Sequence, residues 1–212
     1  MDELKDKLFV FHVHTKYSFD SFLKPKVIVD HLFKNDVYSV VITDHDTIKG
    51  AIEAKKYAKE KYGDKFLVVI GEEVNTDVGD IIGFPLKKEI KSREHKEVIK
   101  EIKNQGGMVV LPHPYNSHKL SKIDFKDIDF IETFNARYSQ KDANDLAEKH
   151  GIKEIIGSDA HFKDDILNTY LVFDDDWKIK LQGRRKNKGI NILKSRIIKR
   201  LKNYGYQIKG FG

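Results

Sequence analysis

The sequence predicts an α/β protein whose strands run parallel and feed one site at their carboxyl ends. Three observations predict it. Apolar runs such as KLFVFHVH, VYSVVITDHD and KFLVVIGEE are nearly continuous, as strands buried on both faces are. They alternate with longer amphipathic stretches, the pattern of an α/β chain. Polar residues cluster just past the ends of the runs: His12 and His14, Asp44 and His45, Glu73, His113, Asp159 and His161. In a barrel and in an open sheet alike, that end of the strands holds the ligand site.

The elements follow in order. KLFVFHVH is a first strand, and PKVIVDHLFKND a helix with Pro25 at its first position, where a missing N–H does no harm. VYSVVITDHD is a strand. IKGAIEAKKYAKEKYG is a helix stopped by Gly63. KFLVVIGEE and the shorter DIIGFPL are strands, and REHKEVIKEIKNQGG is a helix ended by Gly106 and Gly107. MVVLPHP, DIDFIETFN and KEIIGSDAH are further strands, the last two separated by the helical SQKDANDLAEKHG. NTYLVFD is a last strand, and Lys180 to Gly189 reads as a flexible segment. NILKSRIIKRLKNYG closes the chain as a helix, with Asn191 as N-cap, Gly205 as stop and an apolar stripe of Ile192, Leu193, Ile197, Ile198 and Leu201.

Composition narrows the chemistry. The 212 residues suit one domain of moderate size, and 40% are hydrophobic, enough for a core. The chain has no cysteine, which removes disulfides, thiolate metal sites and a cysteine nucleophile together. No run of about 18 apolar residues suggests a membrane span. The start MDELKDKLFVF is too charged for a signal peptide, so a cytoplasmic protein is expected. The net charge of +6 hides an asymmetry. Residues 177–212 hold 12 of the 39 basic residues and none of the 33 acidic ones, so the body is acidic and the tail basic. Such a balance speaks of partners rather than of fold.

On a strand, His12 and His14 point to one side. Two imidazoles side by side suit a shared divalent cation, or else line a polar cleft. TDHDT, GEE, LPHP and SDAH add His45, Glu72 and Glu73, His113, and Asp159 with His161. Histidines and carboxylates without cysteine favour Zn, Mn or Fe over Mg. They are too many for one tetrahedral ion, and two or three ions bridged by Glu73 would use them. Asp44 is placed to orient His45, as carboxylates do for ligating imidazoles. Arg137, in ETFNARYS past a strand end, is a candidate for a bidentate grip on phosphate. His118 and Lys119 follow HPYNS and are further candidates to face substrate. His31, His95 and His150 fall within predicted helices and read as surface or boundary residues.

HVHTKYSFD, TDHDT, GEE, HP and GSDAH, in this order over roughly residues 8–173, resemble the PHP (polymerase and histidinol phosphatase) superfamily. The resemblance implies a distorted (β/α)7 TIM-like barrel that hydrolyses phosphate esters with a metal-activated water. It implies a first ion held by His12, His14, Glu73 and Asp159, a second by Asp20, His45 and His161, and a third shared by Glu73 and His113. Many members carry a further His after the bridging Glu. Here NTDVGDIIGF has none, and Asp80 is the nearest substitute ligand.

The expected division is a metallophosphoesterase barrel over 1–176 and a basic extension over 177–212, ending in a helix and packed on the barrel. The expected substrate is a small phosphomonoester, a nucleotide or the 5′ end of a short oligonucleotide. The alternative is a nucleic-acid-binding module with a structural or vestigial metal centre. Its tail would release counterions at phosphates and stack bases on Tyr204, Tyr206 and Phe211.

Overall fold

A computed structural model of the chain describes residues 8–173, 179–184, 186–187, 196–197, 199 and 202. The first strand, β1 (Leu8–Val13), pairs in parallel with β2 (Ser39–Ile42) across helix α1 (Pro25–Lys34). β2 pairs in parallel with β3 (Leu67–Ile70) across α2 (Lys49–Tyr62). Pro25 stands in the first turn of α1, and Gly63, with φ 63°, closes α2.

The run FLVVIGEEV breaks at Gly71. There β3 ends and β4 (Glu72–Thr76) departs for a second sheet. A side chain at Gly71 would crowd the carbonyls of Ile42 and Gly83, so glycine lets the backbones converge at this bend without a shift.

β4 returns through Asp77 and Val78 into β5 (Gly79–Phe84), which pairs with it antiparallel. Helix α3 (His95–Asn104) then leads to β6 (Met108–Leu111), antiparallel to β5. The Glu94 side chain caps α3 by accepting the Glu97 N–H at 3.0 Å. β7 (Phe130–Asn135) joins β6 in parallel, and β8 (Lys153–Gly157) joins β7 in parallel after α4 (Ala143–His150), which ends on a left-handed Gly151. β9 (Thr169–Phe173) goes back to the first sheet beside β1, and β10 (Ile179–Arg184) pairs with β9, both antiparallel.

The strands among the described residues therefore form two five-stranded sheets, ordered β10-β9-β1-β2-β3 and β4-β5-β6-β7-β8, rather than one closed ladder. Parallel pairing holds for β1 to β3 and β6 to β8 and fails at β5, β9 and β10. A two-residue connection such as that between β4 and β5 permits only antiparallel neighbours, and β9 follows a 3-10 turn (Lys163–Asn168) rather than a crossover helix. The segment expected to be flexible from Lys180 includes most of β10.

The sheets meet along two seams. At one, Val13 bridges Ala160 and the Ser158 N–H donates to the Phe11 carbonyl at 3.0 Å. At the other, His45 bridges Glu73. Phe11, Val41, Ile82, Val110, Ile155 and Leu171 face one another between the sheets. Val10, Val40 and Val68 face outward onto α1 and α2, and Ile81, Val109 and Ile131 face α3 and α4. A core inside and helices outside leave the carboxyl ends of the parallel strands open.

Asn191, Gly205, Tyr204, Tyr206 and Phe211 lie outside the described residues. So do Ile192, Leu193, Ile198 and Leu201 of the predicted stripe. Ile197 is described and is 49% exposed. Among the described residues no helix is long and apolar enough to cross a membrane.

Ile102 of α3 is fully buried and occupies the space above Gly83 and Gly107. Ile102→Ala is expected to remove about 2–5 kcal/mol of stability, read as a fall in the urea midpoint at unchanged m-value.

Candidate metal centre

The eight residues expected as metal ligands come together at one end of the sheets. His12 and His14 face one side, with ring centroids 5.1 Å apart, yet not by simple strand alternation. β1 shifts register between Val10 and Val13, and His12 takes a left-handed φ of 66°. His113 (φ 28°) and Asp159 (φ 45°) do the same. Such backbone is unfavourable for residues with a Cβ and persists where surrounding contacts hold it, often at functional sites.

Glu73 is the hub. Its carboxylate is buried and lies 3.1 Å from His12 Nε2, 3.2 Å from His14 Nε2, 3.5 Å from His45 Nδ1 and 2.9 Å from His113 Nε2. Glu72, one residue earlier on β4, points to the other face, where it accepts the Ile90 N–H at 2.9 Å. Burial there pushes its carboxyl up to about 7. Strand alternation thus selects Glu73 over Glu72 as the central carboxylate.

A second focus forms around Asp20, which lies 2.8 Å from His161 Nε2 and 3.9 Å from His45 Nε2. Ligand atoms of His14, Asp20, His45 and His161 lie within 4.8 Å of one another, as do those of His12, His14 and Glu73. His12, His113 and Asp159 form a third such group, and His45, Glu73 and Asp80 a fourth. His113 is therefore near Asp159 as well as Glu73. Asp80 is also tied to Asn75, whose amide donates to it at 2.8 Å.

The imidazoles are held from behind. His12 Nδ1 donates to Glu132 at 2.8 Å, and His161 Nδ1 to the Asp159 carbonyl at 2.9 Å. His14 Nδ1 meets the Ser18 hydroxyl at 3.0 Å; that hydroxyl donates to Asp44 and accepts the His45 N–H, each at 3.0 Å. With its proton committed at Nδ1, each of these rings turns a lone pair at Nε2 toward carboxylate oxygens. Two sets of lone pairs at 2.8–3.2 Å repel unless a proton or a cation lies between them. His14 Nε2, His45 Nδ1, His113 Nδ1, His161 Nε2 and Asp20 Oδ1 are buried without a hydrogen-bond partner. This donor set of nitrogen and oxygen fits divalent cations.

Without a cation, protons fill the role. Burial opposes charge on His12, but Glu73, Glu132 and Asp159 outweigh it and hold the ring well above its ordinary value. His113 is likewise buried, and the hydrogen bond and charge of Glu73 push it up to about 9. Despite burial, the facing imidazoles hold Glu73, Asp20 and Asp159 well below the usual carboxylate range.

Asp44 does not bind the His45 ring. Its carboxylate accepts from the Thr15 N–H at 2.5 Å, the Thr15 hydroxyl at 2.7 Å and Ser18. It thereby shapes the loop after β1 and steadies His14 through Ser18. Arg137 is buried at the site, 3.9 Å from Asp20, with its Nε lacking a partner. Lys119 lines the cleft, and its ammonium donates to the Asp77 carbonyl at 2.8 Å. His118 packs over Gly79, with Nε2 at 2.8 Å from the Asp80 carbonyl, and supports the β4–β5 hairpin. His95 is buried rather than superficial, held by Asp77 at the start of α3.

Sequence reasoning missed Glu132. Its carboxylate is fully buried, receives His12 Nδ1, and accepts the His113 N–H and the Asn135 amide, each at 2.8 Å. Gly157 on the neighbouring β8 makes room, since a Cβ there would strike the Glu132 carboxylate. The one signal was a carboxylate inside the apolar run FIETF. Glu132→Gln is expected to weaken metal binding by about 10- to 100-fold, measured by competition with a chelator, with the far-UV spectrum unchanged.

Known proteins share parts of this chain's sequence and fold. The PHP domain family model matches residues 11–111. An uncharacterized protein of Methanocaldococcus jannaschii is 39% identical over 158 residues, covering 68% of this chain and 91% of the relative. A two-domain protein from Bacteroides vulgatus containing a predicted PHP-like metal-dependent phosphoesterase superposes with a TM-score of 0.65 at 18% identity. That likeness covers 78% of this chain and 58% of the Bacteroides protein. PsfC from Pseudomonas syringae superposes with a TM-score of 0.62 at 13% identity, over 92% of this chain and 98% of its own. The matched span carries His12, His14, Asp20, His45 and Glu73, and the Methanocaldococcus relative is covered almost end to end: the chain belongs to the PHP domain family.

Proposed function

We propose that this protein hydrolyses phosphate monoesters at the centre around Glu73, with two to three Zn, Mn or Fe ions as cofactors. The observation that carries the reading is the set of buried Nε2 lone pairs on His12, His14 and His161, each aimed at a carboxylate. His12, His14, Glu73 and Asp159 would hold one ion, and Asp20, His45 and His161 a second. His113 with Glu73 would serve a third, with Asp80 as an added ligand. Bound divalent ions supply Lewis acidity toward a phosphoryl oxygen and lower the pKa of water.

The protein's own groups do the rest. In the reaction, water adds to phosphorus, the bond to the leaving oxygen breaks, and an alcohol and inorganic phosphate form. Arg137 offers an unpartnered buried N–H beside Asp20, suited to an equatorial phosphoryl oxygen as negative charge shifts there. Glu132 holds His12 and the His113 backbone in place, and Asp44 with Ser18 holds His14. The cleft over the centre, about 510 Å³, has room for a small phosphomonoester, a nucleotide or the terminal residue of an oligonucleotide.

The same reading takes the two sheets as a distorted (β/α)7 barrel over 1–176, supported by the seams at Val13–Ala160 and His45–Glu73. Residues 177–212 extend it, supported by the pairing of β10 with β9 and by Asn187, whose amide donates to the Ser158 carbonyl at 3.0 Å.

His14→Ala is expected to lower metal content per chain and to reduce hydrolysis of an aryl phosphate with added Mn or Zn to background, while the far-UV spectrum stays native. An active His14→Ala protein with unchanged metal content would overturn the assignment. The proton balance gives a second measurement. His12 and His113 carry raised pKa values without metal, His113 up to about 9, and protonated rings must shed protons to become ligands. Metal affinity is therefore expected to rise with pH through about 9, with proton release seen by calorimetry in buffers of different ionisation enthalpy.

A further inference from the structure

The cleft over the centre is not walled by the acidic body alone. Its lining includes Phe19, Asp20, His45 and Arg137, and also Arg196 and Lys199 from the basic C-terminal segment. Two contacts fix that segment there. Lys202 donates to the carbonyls of Lys16 at 3.1 Å, Ser18 at 2.6 Å and Ser21 at 2.7 Å, gripping the loop that carries Asp20. The Lys199 ammonium lies 4.6 Å from the centre of the Phe19 ring, within cation–π reach. Phe19 in turn stacks on His45, with centroids 4.4 Å apart and planes 9° apart. Lys199 is thus one aromatic ring away from the ligand set.

The cations of the cleft divide into two groups. Arg137 is buried beside Asp20, where the proposed reaction would place the phosphoryl group. Lys119 is occupied by the Asp77 carbonyl. Arg196 and Lys199 are exposed on the rim, and neither has a carboxylate partner among the described residues. They exceed what one phosphoryl group needs, since Arg137 and the proposed ions would meet its charge. Like charges held together at a cleft mouth raise the local concentration of an anion of matching size.

We propose that Arg196 and Lys199 form part of the wall of the active site and bind a second anionic group on the leaving-group side of the substrate. The preferred substrate is then a phosphate ester whose leaving group bears a further phosphate or carboxylate. The proposal rests on the phosphoesterase reading of the centre, but binding tests it separately from turnover.

Two non-hydrolysable probes, butylphosphonate and butane-1,4-diphosphonate, differ only in the second anion. Calorimetry on the full-length, metal-loaded protein is expected to show the diphosphonate binding about tenfold tighter. In the double variant Arg196→Ala with Lys199→Ala, that ratio is expected to fall to about one, whereas the charge-conserving swap Arg196→Lys with Lys199→Arg keeps most of it. Equal affinity for both probes in the natural protein, or a ratio that survives the double alanine variant, overturns the proposal. Hydrolysis of 4-hydroxybutyl phosphate and butane-1,4-diyl bisphosphate is followed in parallel, and kcat/KM is expected to favour the bisphosphate. Hydrolysis of both without a binding ratio leaves the phosphoesterase and removes the subsite. A binding ratio without hydrolysis of either keeps the subsite and removes the phosphoesterase.

Discussion

The centre depends on one constraint: a fully buried carboxylate, Glu73, surrounded by imidazole nitrogens that cannot all be satisfied by one another. A buried charge without partners is prohibitively costly, and a ring of lone pairs around it adds repulsion. Positive charge must be present, as protons or as metal. Everything that fixes the rings follows from that need. Glu132 and the Asp159 carbonyl receive Nδ1 protons, and Ser18 links His14 to Asp44. Left-handed backbone at His12, His113 and Asp159 aims side chains that ordinary strands would direct elsewhere.

The fold serves the same end. Its interior is filled by apolar residues from both sheets, so the polar groups gather only at the open end. The bend at Gly71 is where a single apolar run passes between sheets, and it places Glu73 at the seam beside His45. Without that break Glu73 would continue the edge of the first sheet rather than face His12 on β1.

Much of this was legible in the residues. The histidines and carboxylates past the apolar runs are the ones that gather at one end of the sheets, because a strand end is where a buried run meets the open face. The helices were read from their amphipathic stretches and from glycine stops at Gly63 and Gly106. The division into two sheets was not legible. Whether FLVVIGEEV is one strand or two turns on backbone crowding at Gly71, which involves Ile42 and Gly83 from distant sequence. β10 was hidden by Lys180 and Arg184, because an edge strand tolerates charge that a central strand does not. Glu132 looked like an ordinary alternating residue, since its partners lie 120 residues before it and 19 before it. Asp44 stands next to a ligand in sequence yet serves another, His14, through Ser18.

The span of the ligand set has a consequence for synthesis. The cluster takes His12 from the first strand and His161 from beyond the eighth, and the cleft beside it takes Arg196 and Lys199 from further on still. Contacts of such sequence separation form late, because long loops must close first. A ribosome releasing this chain from its amino end exposes HVH long before the carboxylates that share its cations exist. On the proposed ligand set the nascent chain would hold a metal only weakly, and tight loading would wait until Asp159 and His161 have joined the cluster.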